Sequence, residues 1–216
     1  MTLYEEEPEV RTRLEEVGIP LEALQRAARR GAGGYTSTTT FHPVSSAGTY
    51  LYHEATAALR LELVPGGDWG LDEEDHQPRV FSEKYRAIVV VLTGDKYTGI
   101  DGPQEPRSRN AKGGATRKKI DENQGQLHLF DISPTGIERS AEKGGMLTWV
   151  FLIAIVDGEI RSELSLPNEL DDESRPSGYH ERILLPAQPL DGTLPTMDKR
   201  GDDDEGPVAD IDVSWK

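Results

Sequence analysis

An Asp-Gly pair at 157–158, set between two strand-like runs, constrains this chain more than any other dipeptide in it. The run before it, Leu147–Val156, reads LTWVFLIAIV, and the run after it begins Glu159-Ile160-Arg161. Asp-Gly is a favoured centre for a two-residue hairpin loop, because both residues accept the positive φ that matches the strand twist. A two-residue loop also fixes the register. It pairs Val156 with Glu159, Ile155 with Ile160, and Phe151 with Leu164. The first strand is apolar on both faces, so it belongs inside a sheet. The second alternates through Glu159, Arg161 and Glu163, which predicts a strand near an edge or half in water.

Other segments extend the pattern. Residues 85–92, YRAIVVVL, form a β-branched run closed by Thr93-Gly94-Asp95, as expected of a buried central strand. Weaker strands are expected at 127–132, 179–185 and 208–213. Ahead of them the period changes. Val10, Leu14 and Val17 recur at i, i+4, i+7, one face of a helix that Gly18 breaks. Pro20 suits a helix start, Leu21, Leu24 and Ala28 continue the helix, and Gly31 marks its expected stop. A helix-turn-helix reader of DNA usually needs a third packed helix, and here GAGGYTSTTT follows the second instead.

Residues 31–46 read as a connection, and Tyr52, Ala55, Leu59 and Leu63 support a helix over 50–64. Leu59, Leu61 and Leu63 also alternate with Arg60 and Glu62, leaving a strand open at that end. Pro65-Gly66-Gly67 ends the element in either case. Residues 68–78 hold five acids and read as a loop. Helices first and strands later predict an α+β fold, with short N-terminal helices packed on a mainly antiparallel sheet and long irregular loops. Residues 1–189 are expected to form a single domain. Residues 190–216, rich in Pro and Asp, are expected to be an excursion with a short C-terminal strand.

Charge narrows the functional classes. The chain has 39 acidic residues against 24 Lys and Arg, a net −15. Such a field repels phosphate backbones, so nucleic-acid binding by the whole surface is disfavoured, while a basic protein partner is compatible with it. There is no cysteine, which removes thiolate catalysis, disulfides and Cys-ligated metals. The acidic start MTLYEEEPE is unlike a secretory signal. The longest apolar run, Trp149 to Val156, is too short for a bilayer. These features predict a cytoplasmic protein with no membrane partner.

Catalytic signatures are missing. His53-Glu54 begins HEATA, but Ala57 stands where a zinc-protease motif needs its second histidine. His42, His53, His76, His128 and His180 are too scattered for metal-ligand spacing. No G-x-S-x-G elbow, Walker loop or G-x-G-x-x-G follows a strand, and no lysine has an acid two residues before it. No zinc, iron or flavin is expected, and no cofactor.

One segment stands apart. Residues 107–119, RSRNAKGGATRKK, carry Arg107, Arg109, Lys112, Arg117, Lys118 and Lys119 without a single acid. Gly113 and Gly114 at the middle allow close backbone approach and expose amide N–H groups. This is the chemistry of a loop that meets phosphates, although without interleaved aromatics it gives no sign of base stacking. Asp95, Asp101 and Glu105 precede it and could gather around a divalent metal, yet the same residues make good turns.

Three functions follow. The first is a non-catalytic binding or accessory protein contacting an anionic ligand, nucleic acid above all, through the basic Gly-containing loop. The second is a divalent-metal-dependent enzyme acting on phosphodiesters. The third is an acidic protein–protein module, or a decoy that mimics DNA.

Overall fold

The computed structural model describes residues 1–73, 77–109, 145–173 and 175–190. Strands expected at 127–132 and 208–213 lie outside these residues, as does the excursion after Leu190.

The hairpin has the register that its turn dictates. Strands β5 (Leu147–Val156) and β6 (Glu159–Leu170) pair Val156 with Glu159, Ile155 with Ile160 and Phe151 with Leu164. Asp157 and Gly158 take φ of 53° and 78°, the left-handed pair that the turn needs. Around it lie β1 (Thr2–Tyr4), β2 (Gly70–Asp72), β3 (Arg79–Ser82), β4 (Ala87–Thr93), β7 (Pro176–Leu184) and β8 (Gln188–Pro189). The sheet order is β1-β7-β6-β5-β4-β3-β2, and β8 pairs with β6. Two pairings are parallel, β1 with β7 and β4 with β5, and the others are antiparallel. The fold is α+β with N-terminal helices and a mixed, largely antiparallel sheet.

Among the described residues, three helices cover one face: α1 (Glu7–Val17), α2 (Leu21–Thr36) and α3 (Ser46–Leu63). Val10, Leu14 and Val17 are buried, and Gly18 caps α1 in the left-handed region with φ 77°. The central-strand expectation holds, since β4 is buried on both sides from Ala87 to Leu92. Val89, Val91, Trp149, Phe151 and Ile153 share one core with Leu14, Leu24, Leu51 and Leu59, and Ile155 packs at its margin.

Three expectations are corrected. Gly31 does not stop α2, which runs on to Thr36. A Cβ on Gly31 would come within 2.9 Å of the Ala55 Cβ, and one on Gly34 within 2.7 Å of the Tyr50 carbonyl. These glycines let α2 and α3 pack closely, and that packing outweighs their low helix propensity. The stretch 68–78 is not wholly loop, because β2 occupies Gly70–Asp72 and pairs with β3. Arg79, nearly buried, neutralises Asp72 across that pair. Lastly, β6 is an interior strand between β5 and β7, and its Glu163 is fully buried. As for α3, it remains helical to Leu63, which leaves Leu61 exposed and rules out the strand.

Among the described residues no helix is long and apolar enough to cross a membrane.

Candidate functional site

Beyond Thr93 the central strand turns sharply, and the turn is closed by its own backbone. Gly94 N donates to Ile153 O at 2.8 Å, Asp95 N to Arg107 O at 3.0 Å, and Arg109 N to Thr93 O at 2.9 Å. Gly94 and Ser108 form an antiparallel bridge, so residues 94 and 108 are the zipped ends of a loop. A side chain on Gly94 would collide with the Thr98 hydroxyl, which is why the strand can turn there. Asp95 then closes an Asx turn, its Oδ1 accepting the Tyr97 N–H at 3.0 Å.

This loop lies on the sheet face away from the helices, and charged groups hold it there. Glu163 and Arg182 are 0% and 1% exposed. Arg182 grips the carboxylate with both Nε at 3.0 Å and Nη2 at 2.6 Å, the fork geometry that suits guanidinium to carboxylate. The remaining capacity is used on the loop. Glu163 Oε2 accepts the Gly99 N–H at 2.8 Å, and Arg182 Nη2 donates to Ile100 O at 3.0 Å. Ser165 Oγ adds a bond to Glu163 Oε1 at 2.6 Å. Gly99 takes φ +72° and sits so close to Ser162 that a Cβ would lie 3.0 Å from its backbone nitrogen.

A second anchor is aromatic. Tyr179 is buried with Val90, Leu92, Val150 and Leu152, and its hydroxyl reaches Pro106 O at 3.0 Å and Pro176 O at 3.2 Å. Burial, with the Glu163 charge behind it, pushes that phenol well above its ordinary pKa, so it remains a donor.

Between the loop and β7 opens a cleft of about 660 Å³, lined by Asp95, Lys96, Tyr97, Glu105, Arg107 and Ser177 among others. Of the basic segment, Arg107 and Arg109 are described, and both side chains are exposed. Arg107 lines the cleft, with its Nε 3.8 Å from the Asp171 carboxylate. Lys112, Gly113, Gly114, Arg117, Lys118 and Lys119 lie outside the described residues. The cleft is mixed in charge. Among the described residues, the cations Lys96 and Arg107 face the carboxylates of Glu105, which accepts the Gly178 N–H at 3.0 Å, and Asp95, which is held by its turn.

The three acids considered for a metal do not come together. Asp95 and Glu105 share the cleft, whereas Asp101 is exposed and outside its lining. Among the described residues no group of three His, Asp or Glu is placed to hold an ion. Sequence reasoning missed Tyr97 as a cleft residue. Lys96 Nζ lies 5.3 Å from its ring centre, so one face of the ring already carries a cation. It also missed the pairing of Glu163 with Arg182. A signal for that pair did exist: an acid within one strand run and an arginine within the next, each followed directly by an apolar residue, Leu164 and Ile183.

Compared with known proteins, the chain matches no family profile, no curated sequence and no solved structure.

Proposed function

We propose that this is a non-catalytic binding protein that takes an anionic ligand, nucleic acid first, at the loop end of the central strand. One observation carries the reading. The root of the cation-rich segment is zipped to the end of β4, so Arg107 and Arg109 leave a fixed point beside the cleft that Arg107 lines. A rigid root under a run of cations supports phosphate contact, because less of the loop has to be ordered when the ligand arrives. The net −15 of the chain opposes approach from afar, but screening beyond about 8 Å at physiological ionic strength leaves near cations in control.

The test is salt dependence. With three or four phosphate contacts, the log–log slope of affinity against salt should be about −3 to −4 on duplex DNA and somewhat shallower on single strands. Replacing Arg117, Lys118 and Lys119 with Ala should flatten the slope and leave the melting temperature unchanged, since exposed charges add little to stability. No binding to any nucleic acid at low salt would reject the reading, and so would binding that survives the triple substitution.

A second reading, an acidic protein–protein module, is favoured by the contact of Arg107 with Asp171. That reading requires the basic segment to be neutralised by the protein's own acids, as Arg107 is in part by Asp171. In that case the triple substitution lowers stability and leaves no nucleic-acid binding to lose.

A further inference from the structure

A separate surface lies at the far end of the helical hairpin. Helices α2 and α3 run antiparallel, with Arg30 bonded to Glu54 at 2.6 Å and Arg26 to Glu62 at 2.6 Å. Where they part, Arg29, Arg30, Gly33, Tyr50 and His53 line a cleft of about 590 Å³. Nothing lies within 4 Å of a Cβ placed on Gly33, so the absence of a side chain keeps the cleft open. Among the described residues Arg29 has no ion-pair partner, although the chain as a whole is strongly acidic. Next to the cleft the turn between the helices presents two large apolar side chains to solvent, Phe41 at 96% and Val44 at 90% exposure. Cations beside bare apolar groups suit an occupant that is acidic and apolar at once.

The chain carries such a segment. Residues 201–216 read GDDDEGPVADIDVSWK, with Asp202, Asp203, Asp204 and Glu205 in a row, then Val208, Ile211, Val213 and Trp215. The described chain ends beside α2, with Leu190 N bonded to Gly158 O at 2.9 Å. Gln188 in β8 donates from Nε2 to Gln25 O of α2 at 3.4 Å, two residues before Leu190. From Gln25 the i, i+4 row of α2 runs through Arg29 and Gly33 to Ser37 at the helix cap, and these last three line the cleft. Arg29 is thus about 6 Å along the α2 axis from the residue that the Gln188 side chain touches, at 1.5 Å per residue. The spacer from Leu190 to Asp202 can extend to about 40 Å, so it reaches easily.

We propose that residues 201–216 bind in cis to the α2–α3 cleft. The acidic run meets Arg29 and Arg30, and the apolar residues after it cover Phe41 and Val44. The cleft is then a peptide-recognition site whose resident ligand belongs to the same chain. The inference is independent of the nucleic-acid reading, which concerns the opposite face of the sheet.

Because the chain has no cysteine, a single Ser37→Cys variant of the full protein takes a nitroxide at one known place. In nuclear magnetic resonance spectra, the amide signals of residues 202–215 should lose most of their intensity and regain it when the nitroxide is reduced. The reciprocal Ser214→Cys label should broaden Arg29, Gly33 and Tyr50, which guards against the first label blocking the cleft. Arg29→Glu with Arg30→Glu should abolish both effects. So should 1 M salt, where the screening length falls to about 3 Å. An unaffected segment, or broadening that persists in the charge-reversed variant, overturns the proposal. Broadening that appears only when isotope-labelled unspinned protein is mixed with spin-labelled protein also overturns it, because it places the contact between two copies.

Discussion

The two faces of the sheet are buried by different means. Under the helices the contacts are chiefly apolar, from Val10 and Leu24 down to Phe151 and Ile183, and the one buried acid there, Glu181 among the described residues, is met by the half-buried Arg13 of α1. On the other face a small apolar patch around Leu152 is joined to the fully buried pair of Glu163 and Arg182, which holds the loop over 94–108 by its backbone. An apolar face tolerates repacking, because hydrophobic contact has little direction. A buried ion pair does not, since each half requires the other. The helix face therefore gives the domain its bulk stability, and the loop face gives the candidate site its position.

The largest effect should come from breaking that pair. Arg182→Ala or Glu163→Ala leaves an uncompensated charge in the interior, and each should cost about 3–5 kcal/mol in chemical denaturation. The double change Glu163→Leu with Arg182→Met removes both charges and should cost far less than either single change. Its protein should nevertheless lose order around Gly99 and Ile100, visible as faster amide exchange there. If the single changes cost no more than an exposed ion pair, the contrast between the faces is wrong.

On the helix face, Ile153→Ala removes a fully buried side chain from the centre of β5. It should cost about 2–5 kcal/mol, according to how far the cavity closes. Exchange around Gly99 should be unaffected until global unfolding. An unchanged thermal melt would reject the placement of this strand in the core.

Glycines in α2 sharpen the contrast within one helix. Gly31→Ala forces a methyl against Ala55 and the Leu51 carbonyl and should destabilise by about 1–3 kcal/mol through overpacking. Gly33→Ala meets open space and should stabilise by up to about 1 kcal/mol through helix propensity. Equal signs for the two would show that packing against α3 is not what requires Gly31.

These two glycines also mark how far the sequence could be read. The hairpin register was legible because Asp-Gly has few alternatives and both flanking runs are unambiguous. The central strand was legible because Ile88–Val91 are β-branched without a break and Leu92 continues the apolar run. Gly31 was misread as a stop, since local signals cannot distinguish a glycine that ends a helix from one that admits a neighbour. Glu163 was misread as facing water for a similar reason. Alternation of charge predicts exposure only when no partner waits on the next strand, and Arg182 lies 19 residues further along the chain. At the candidate site, composition pointed to residues 107–119, of whose described members Arg107 lines the cleft. The backbone bridge from Gly94 to Ser108, which sets where the segment begins, has no signature in residue type.

The smallest effect on stability, and the most direct on function, belongs to Arg107→Ala. Its side chain is more than half exposed and the carboxylate of Asp171 is 3.8 Å away, so the contact is loose and screened by solvent. Stability should stay within measurement error. If Arg107 meets one phosphate of a bound nucleic acid, its loss releases one fewer set of counterions, and the salt slope should become shallower by about 1 on duplex DNA. Affinity should fall evenly across sequences, since a phosphate contact reads no base. The Glu163→Leu, Arg182→Met protein supplies the link between the two halves of the comparison. There Arg107 is intact but its loop has lost its clasp, so the slope should be retained while affinity drops, because the loop must now be ordered at the moment of binding. A slope unchanged by Arg107→Ala removes this residue from the ligand contact. An affinity unchanged in the unclasped protein would mean that the buried pair serves the fold alone.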